Sequence, residues 1–385
     1  MALMRRVGMS VVFVIILFGL ALNFWNRREP IAVDYHTYVA AARVGVDHGF
    51  SQIYNQSLVA IEQMKLVGDQ VAQPFLSPPT VAWMVTPLLA LPYWVSYYVW
   101  ELLTLVALLA ALWWASTSRG MARWIGVAGA LFPWWTIHSL HVGQVVPWVA
   151  VAIVVAWRLL REKREIATGL VLCGVLLKPN TAFLAPLVVL AAGYRKAFAA
   201  SAVGGAVIGA VALLSLGFTG TGDYISQVTG PLPAGADNVT LEGAFGVSGM
   251  TALALRVLIV VAALFTAYRL RRWPAVVLGA GAVGSLLVTP YIHASDLCVF
   301  AVAAWMIWEE HPLPSWRVPI GIGWFIAGPF VALTWFEPTL RQWPLLELAL
   351  FVPLVAIALL PRLGEYLARS SALTGEADLR TQGPA

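Results

Sequence analysis

The sequence predicts an all-α integral membrane protein. Of its 385 residues, 60% are hydrophobic and only 11% are charged, whereas a soluble domain carries about 25% charged residues. Apolar runs recur along the chain, many of them close to the length of about 20 residues that crosses a bilayer as a helix. Lysines and arginines gather between those runs, as they do in cytoplasmic loops. Together these observations predict about twelve transmembrane helices packed as one unit.

The basic clusters fix the order of the predicted spans, because cytoplasmic loops are enriched in Lys and Arg and we place every cluster on that side. The clusters are Arg5 with Arg6, Arg119 with Arg123, Arg158 with Arg161, Lys163 and Arg164, Arg195 with Lys196, Arg269 with Arg271 and Arg272, Arg317, and the tail from Arg362. The predicted spans are 7–25, 94–116, 122–140, 144–160, 166–177, 181–193, 197–217, 250–270, 275–289, 294–309, 316–333 and 345–361. Both termini are then cytoplasmic.

Two apolar segments need a separate interpretation. The first begins with charges like a signal peptide, but no small-residue cleavage site precedes Asn26, so we predict a retained span. The stretch from Pro79 to Pro92 is only about 14 residues long and is bounded by prolines, which is too short for a comfortable span. We expect it to lie on the outer face or to dip into it.

The predicted spans leave a simple domain organisation. Residues 1–369 form a single polytopic domain with a long outer catalytic loop over 26–93, which we expect to carry juxtamembrane helices. The Gly-, Pro- and Thr-rich residues 217–249 are either a mobile flap or a plain connector on the same side. Residues 370–385 are polar and predict a disordered cytoplasmic tail. Both cysteines fall in apolar segments, so we expect buried free thiols.

Four polar stretches are left on the outer side. They are residues 26–77, 136–144, 177–180 and 289–296. Asp34 lies almost where the chain first leaves the membrane, and a carboxylate at that boundary is costly unless it is used. The alternative is an ordinary solvated loop acid. Because all four stretches share one face, we favour a functional role for Asp34.

Lys178 interrupts an otherwise apolar segment. A lysine at the middle of a bilayer helix costs several kcal/mol, but Pro179 breaks the helix there and leaves two half-spans of about 12 residues. One interpretation is a lysine that extends to the lipid headgroups. The other is an anion site, because a compact ammonium suits a phosphate.

The histidines on this face come in pairs with the spacing of one helical turn. His293 and Asp296 would share a helical face if a helix began near Ile292, and His138 and His141 have the same spacing. Such pairs are able to ligate a metal, yet no third ligand stands near them in sequence. We therefore predict no metal site, and an interfacial histidine can equally be a packing residue.

The order of these motifs carries a family resemblance. After the first span come Asp34-Tyr35, then Phe75-Leu-Ser-Pro78-Pro79, Gly143-Gln144, Lys178-Pro179 and Thr289-Pro290-Tyr291. This order, from about residue 10 to 310, resembles the GT-C superfamily and, within it, glycosyltransferase family 87, the polyprenyl-phosphate-mannose-dependent mannosyltransferases. The sequence departs from the expected pattern at Val145-Val146-Pro147, where we expected an Asn soon after the Gly-Gln pair.

The resemblance implies a GT-C fold and an enzyme that uses a lipid-linked sugar outside the cytoplasm. The donor is mannose linked through one phosphate to a polyprenol, and the acceptor is a hydroxyl of a glycolipid or glycan. By similarity Asp34 is the general base, and attack on a β-linked donor inverts the centre and yields an α-mannoside. We expect a monomer in the plasma membrane that acts in glycolipid synthesis of the cell envelope, without cofactor or nucleic acid.

The leaving phosphate needs positive groups placed in advance. Lys178 is the first choice for binding the leaving phosphate. His293 is the second choice and would act as a catalytic group, and Arg43 is the third. We assign substrate binding to the remaining side chains of this face, which are Tyr35, His36, His138, His141, Gln144, Tyr291 and Asp296. Aromatic residues near this face either stack on sugars or anchor the protein at the interface. They are Tyr35, Trp83, Trp134, Trp135 and Trp335.

A secondary transporter of an anionic or sugar-like substrate is the alternative function. Transporters also use helices that are broken at membrane depth, as at Lys178 and Pro179. However, the two halves of the chain do not contain corresponding broken helices. The long outer loop that carries Asp34 also has no obvious role in transport, so a transferase is favoured.

Overall fold

The computed structural model describes residues 2–25, 31–68, 72–230, 239–310, 317–329 and 343–360. Within these ranges all regular structure is helical. The predicted tail 370–385 and Trp335 lie outside the described residues. The α-helices are α1 (Ala2–Trp25), α2 (Tyr35–His48), α3 (Gln56–Val67), α4 (Pro79–Val85), α5 (Tyr93–Ala115), α6 (Met121–Leu131), α7 (Trp134–His141), α8 (Val146–Arg161), α9 (Glu165–Leu172), α10 (Leu184–Ala191), α11 (Arg195–Thr229), α12 (Leu241–Phe245), α13 (Gly249–Arg269), α14 (Pro274–Val288), α15 (Cys298–Glu310), α16 (Arg317–Ala327) and α17 (Trp343–Leu359). Short 3-10 segments are Phe50–Gln52, Thr86–Ala90, Cys173–Leu177, Pro179–Thr181 and Ala294–Leu297.

The helices support the prediction of a membrane protein. Among the described residues, α5, α11 and α13 are long and apolar enough to cross a bilayer, and several further apolar helices are shorter. Most helix bounds lie within a few residues of a predicted span. The predicted span 122–140 is instead two helices, because Pro133 cannot continue the hydrogen bonding of α6 and α7 begins directly after it. The number of crossings stays a prediction.

The centre of the bundle is α14, whose 15 residues are all buried. Its glycines let the neighbouring helix approach closely, as in other packed membrane helices. A Cβ added at Gly281 would lie 2.6 Å from a methyl group of Val188 and 3.2 Å from Cα of Ala185 in α10. Helices α13, α15 and α17 also pack on α14 and complete the main core. A helix in this position can be hydrophobic all round, as this one is.

A second core lies under the first outer loop. Buried side chains of α2, α3 and α4 form it together with Tyr97, Trp100 and Val145. The stretch from Pro79 to Ala90 is helical and rests on α2 through residues such as Val81 and Val85, which are fully buried. The described residues of the predicted loop 26–93 therefore form a packed helical layer.

Four of the predicted basic clusters lie at one end of the bundle. The Tyr194 hydroxyl donates to the Arg271 carbonyl at 3.1 Å, and the backbone N–H of Lys196 donates to Glu165 at 3.2 Å. Arg161 reaches the Ala115 carbonyl at the end of α5. These contacts join four inter-helix connections that are predicted to be cytoplasmic. The polar stretches 136–144, 177–180 and 289–296 lie at the opposite ends of α8, α9, α10 and α14, and Asp34 is hydrogen-bonded to the first of these stretches.

Helix α11 differs from the prediction. It continues past residue 217 through a kink, where Gly217 has φ 62°, and ends at Thr229. Beyond the kink the helix packs on the segment Phe50–Gln52, and the Tyr224 ring lies 4.8 Å from the Tyr54 ring between centroids. The first part of the predicted flap or connector 217–249 is therefore a docked helix. The two free thiols are confirmed, but only Cys298 is fully buried while Cys173 is half-buried.

Substitution of Gly220 tests the docking of α11. A Cβ at this position would lie 2.6 Å from the Ser51 carbonyl oxygen, whereas a Cβ at Gly222 would meet no atom within 4 Å. We expect Gly220→Ala to destabilise the protein by about 1–3 kcal/mol through overpacking. Gly222→Ala, two residues along the same helix, should be neutral or stabilising by up to about 1 kcal/mol. Thermal unfolding in detergent measures both variants, and equal Tm values would contradict the docking.

Candidate active site

Asp34 is held in place by the turn that follows α7. Its backbone N–H donates to the Val142 carbonyl at 2.9 Å, and the N–H of Tyr35 donates to the same oxygen at 3.1 Å. The N–H of Ala32 donates to the His141 carbonyl at 2.8 Å. The first outer loop is thus hydrogen-bonded to a segment more than a hundred residues away. Asp34 stands at the N-terminus of α2, with its side chain partly exposed.

Gly143 permits this contact. Its φ of +71° is a conformation that favours glycine, and an added Cβ would lie 2.5 Å from Cβ of Tyr35. The Gly143 carbonyl accepts a hydrogen bond from the Trp100 indole at 3.0 Å. A side chain at this position would push the Asp34 segment away from the turn.

Gln144 fixes the Asp34 carboxylate. Its amide oxygen accepts hydrogen bonds from the Tyr38 hydroxyl at 2.5 Å and from the Val145 N–H at 3.0 Å. Two donors at that oxygen determine the orientation of the amide, so the NH₂ group donates to Asp34 Oδ2 at 2.9 Å. Within the described part of the chain, Asp34 Oδ1 receives no such hydrogen bond. One carboxylate oxygen is held and the other can meet a ligand.

Tyr38 remains a hydrogen-bond donor to Gln144. Burial, and then the charge of Asp34, raise the pKa of Tyr38 well above its usual value. The hydroxyl therefore keeps its proton at any physiological pH. Sequence reasoning did not single out Tyr38, although a residue four positions after Asp34 falls on the same face of a helix.

Lys178 sits at a break between two short 3-10 segments, as its proline predicted. Its ammonium lies 2.6 Å from Asp296 Oδ1, and the two side chains are 11% and 0% exposed. Such burial does not fit a lysine that extends to the lipid headgroups. Lys178 is part of a buried ion pair between the α9–α10 connection and the segment before α15.

The segment around Tyr291 is tied to this ion pair. Asp296 Oδ2 accepts a hydrogen bond from the His293 backbone N–H at 2.8 Å, and the Asn180 amide donates to the Tyr291 carbonyl at 3.0 Å. The His293 ring instead meets the Tyr291 hydroxyl at 2.5 Å. The expectation that His293 and Asp296 share a face of a helix from Ile292 is corrected, because the 3-10 turn begins at Ala294 and the carboxylate caps its backbone.

Tyr291 links the two parts of the site. Burial raises its pKa, and the charges of Asp296 and Asp34 raise it further. The ring is thus within electrostatic reach of both carboxylates. Helix α7 also packs against Ala294–Leu297. The structure therefore brings Asp34, Gln144, Lys178 and Tyr291 with its neighbours into one region.

Other predicted residues have packing roles here. Tyr35 is fully buried, with its ring 5.7 Å from Trp100 and 5.8 Å from Tyr97 between centroids, so it has no surface for a substrate and its assignment as a substrate-binding residue is corrected. His36 is 2% exposed. Burial lowers the pKa of His36, and the charge of Asp34 opposes this effect. The buried His36 side chain therefore packs within the fold and stabilises α2 rather than binding a ligand.

The aromatic and histidine side chains of α7 point into the bundle. Trp134 and Trp135 are buried and contact the Trp343 ring, so neither offers a face to a sugar. The His138 ring lies 5.2 Å from the Trp134 ring between centroids, and His141 is buried. In the described ranges, no three His, Cys, Asp or Glu side chains gather in a way that could hold a metal ion.

Arg43 lies on the helix that follows Asp34. It lies nine residues beyond Asp34 on α2, which is about 13.5 Å along the helix axis and half a turn around it. Asn180 is the residue that sequence reasoning missed here, because its contact with Tyr291 joins positions 111 residues apart. No local pattern signals such a contact.

The described residues thus combine a carboxylate that is fixed by hydrogen bonds, Asp34, with a separate buried ion pair, Lys178 and Asp296. The sequence model of glycosyltransferase family 87 matches residues 75–290. This match covers more than half of the chain, which therefore belongs to glycosyltransferase family 87. No curated protein and no solved structure matches the chain. The matched segment includes Gln144 and Lys178, whereas Asp34 precedes it.

Gln144→Glu tests the fixation of Asp34. The substitution replaces the NH₂ donor by a second carboxylate oxygen, so the Asp34 side chain should turn away from its present position. We expect glycosyl transfer to fall about a hundredfold, since a displacement of about 1 Å can cost that much. Gln144→Asn keeps the donor and should retain more activity. If Gln144→Glu folds normally and transfers sugar at the rate of the unmodified protein, the amide does not position Asp34.

Proposed function

We propose that this glycosyltransferase moves mannose from a polyprenyl-phosphate donor to a hydroxyl of a glycolipid or glycan. The reaction takes place on the extracytoplasmic face of the plasma membrane, inverts the sugar centre and forms an α-mannoside. The observation that carries the proposal is the Asp34 carboxylate, held through one oxygen by Gln144, together with the buried Lys178–Asp296 pair. The charges of Asp34 and Asp296 both raise the pKa of Tyr291. The basic clusters at the other end of the bundle support this sidedness.

Asp34 is the general base. A sugar hydroxyl is a poor nucleophile, and a carboxylate within hydrogen-bond reach removes its proton while the new bond to C1 forms. The unoccupied oxygen, Oδ1, accepts that proton. Gln144 and Tyr38 keep the carboxylate oriented, so that little reorganisation accompanies the reaction.

Lys178 stabilises the departing polyprenyl phosphate. An ammonium has three N–H donors, and the contact with Asp296 uses one of them. Asp296 therefore positions Lys178 and leaves donors for a phosphate oxygen. His293, with the Tyr291 hydroxyl on its ring, is the second group for the leaving phosphate. Arg43, about 13.5 Å from Asp34 along the axis of α2, remains the third choice.

Membership of a glycosyltransferase family favours a transferase over the transporter. The broken helix at Lys178 and Pro179 then serves the donor phosphate instead of a transported anion. Leu177, directly before the break, packs against the core under the first outer loop, which supports a position on the same side as Asp34. The proposal needs only this chain, the lipid-linked donor, the acceptor and the membrane.

Asp34→Asn tests the base. The amide keeps the shape of the side chain but cannot accept the proton, so transfer from radiolabelled polyprenyl-phosphate-mannose should fall by about 10²–10⁴. Asp47→Asn is the matched control, because Asp47 is exposed on the same helix, and it should retain full activity. Near-normal turnover of folded Asp34→Asn protein would assign the base to another residue.

Lys178 is tested together with its partner. Lys178→Met leaves the fully buried Asp296 without a cation and should destabilise the fold by about 3–5 kcal/mol. The double variant Lys178→Met, Asp296→Asn removes both charges and should recover much of that stability. Its KM for the donor should still be about tenfold higher or more. Recovery of donor use in the double variant would contradict a role for Lys178 at the phosphate.

A further inference from the structure

An open cavity borders the segment that carries Tyr291. Its volume is about 500 Å³, and Pro290 forms part of its wall directly before Tyr291. The other walls come from α12, the turn after it and the first turns of α13. This volume is in the range of small-molecule sites. None of the residues that line the cavity takes part in the reaction proposed above.

The fold holds the walls of the cavity in place and leaves the space between them open. The Thr240 hydroxyl caps α12 by accepting a hydrogen bond from the Gly243 N–H at 3.0 Å, and Leu241 is buried in the main core. The turn continues through Gly246 and Gly249, both with positive φ. A Cβ added at either glycine would meet no atom within 4 Å. The space beside the turn is therefore open.

A paired arginine and glutamate supply the polar groups of the cavity. The Arg256 guanidinium binds both carboxylate oxygens of Glu242, with Nη2 and Oε2 2.5 Å apart. The two side chains are 33% and 18% exposed. A guanidinium has five N–H donors and a carboxylate about four acceptor sites, so both partners retain hydrogen-bonding capacity. Because the two charges compensate each other, the pair favours an uncharged ligand with several hydroxyl groups over an anion.

We propose that this cavity binds an uncharged sugar unit of the acceptor. The phosphate-bearing donor is drawn to Lys178, which pairs with Asp296 and is not among the residues that line the cavity. The cavity and the candidate active site share the Pro290–Tyr291 segment, so a sugar held by Glu242 and Arg256 would lie beside that segment. That the sugar belongs to the acceptor rests on the function proposed above, whereas the binding of a neutral sugar does not.

Protection of an introduced thiol tests the binding directly. Ser248 lines the cavity and is exposed, so the thiol of Ser248→Cys should react with a membrane-impermeant maleimide. Methyl α-mannopyranoside is the neutral probe and methyl glucuronide the anionic one. At about ten times its Kd the neutral probe should slow labelling about tenfold, since about one site in eleven stays free. Ser57→Cys, exposed on α3, is the control and should be unaffected.

Two results of this labelling would overturn the proposal. One is a labelling rate of Ser248→Cys that the mannoside does not change. The other is stronger protection by the glucuronide than by the mannoside, which would assign the cavity to an anion. Protection by the mannoside alone supports it, whatever the enzyme transfers.

Kinetic measurements on a variant with a blocked cavity distinguish this proposal from the proposed function. Ser248→Trp should raise the KM for a glycolipid acceptor about tenfold or more by occluding contacts, with the KM for the lipid donor unchanged. Ser57→Trp should change neither constant. A failure of the unmodified protein to transfer sugar contradicts the proposed function and leaves the thiol test decisive for the cavity. Transfer with an unchanged acceptor KM in Ser248→Trp overturns the acceptor site.

Discussion

The close approach of the Asp34 segment to the turn after α7 is the constraint on which the candidate site depends. Three backbone hydrogen bonds from residues 32–35 end on this turn, and the contact exists because Gly143 has no side chain. The same turn presents Gln144 to the carboxylate. Backbone geometry and side-chain orientation are therefore set by one contact. A base that is fixed in this way needs no rearrangement during proton transfer.

The buried ion pair adds a second fixed element. Removing a charged pair from water costs several kcal/mol per ion, and the mutual attraction offsets that cost only with further hydrogen bonds. Asp296 satisfies this condition through the His293 backbone, and Pro179 provides the irregular backbone that lets Lys178 turn inward. Such pairs contribute little net stability. The pair here holds one positive charge at a defined place in the candidate site.

Much of the fold follows from local patterns. Apolar runs and basic clusters placed most helices within a few residues, and a proline inside an apolar run correctly marked the break at Lys178. The extension of α11 was missed because Gly217, Gly220 and Gly222 resemble loop composition. Gly220 in fact admits the Ser51 backbone. The orientation of side chains was harder to predict. Tyr35 follows a polar residue, and the sequence around it did not indicate its burial among aromatic rings from α5.

The pairing of Lys178 with Asp296 has a consequence for biosynthesis. The two residues are 118 positions apart (296 − 178), so a ribosome adding about 5–20 residues per second needs roughly ten seconds between them. During that interval the lysine has been synthesised without its counter-ion. The buried pair can form only after the segment that contains Asp296 has been made. Assembly of the site is thereby a late step of insertion, and a chain that stops before residue 296 holds an incomplete charge pair.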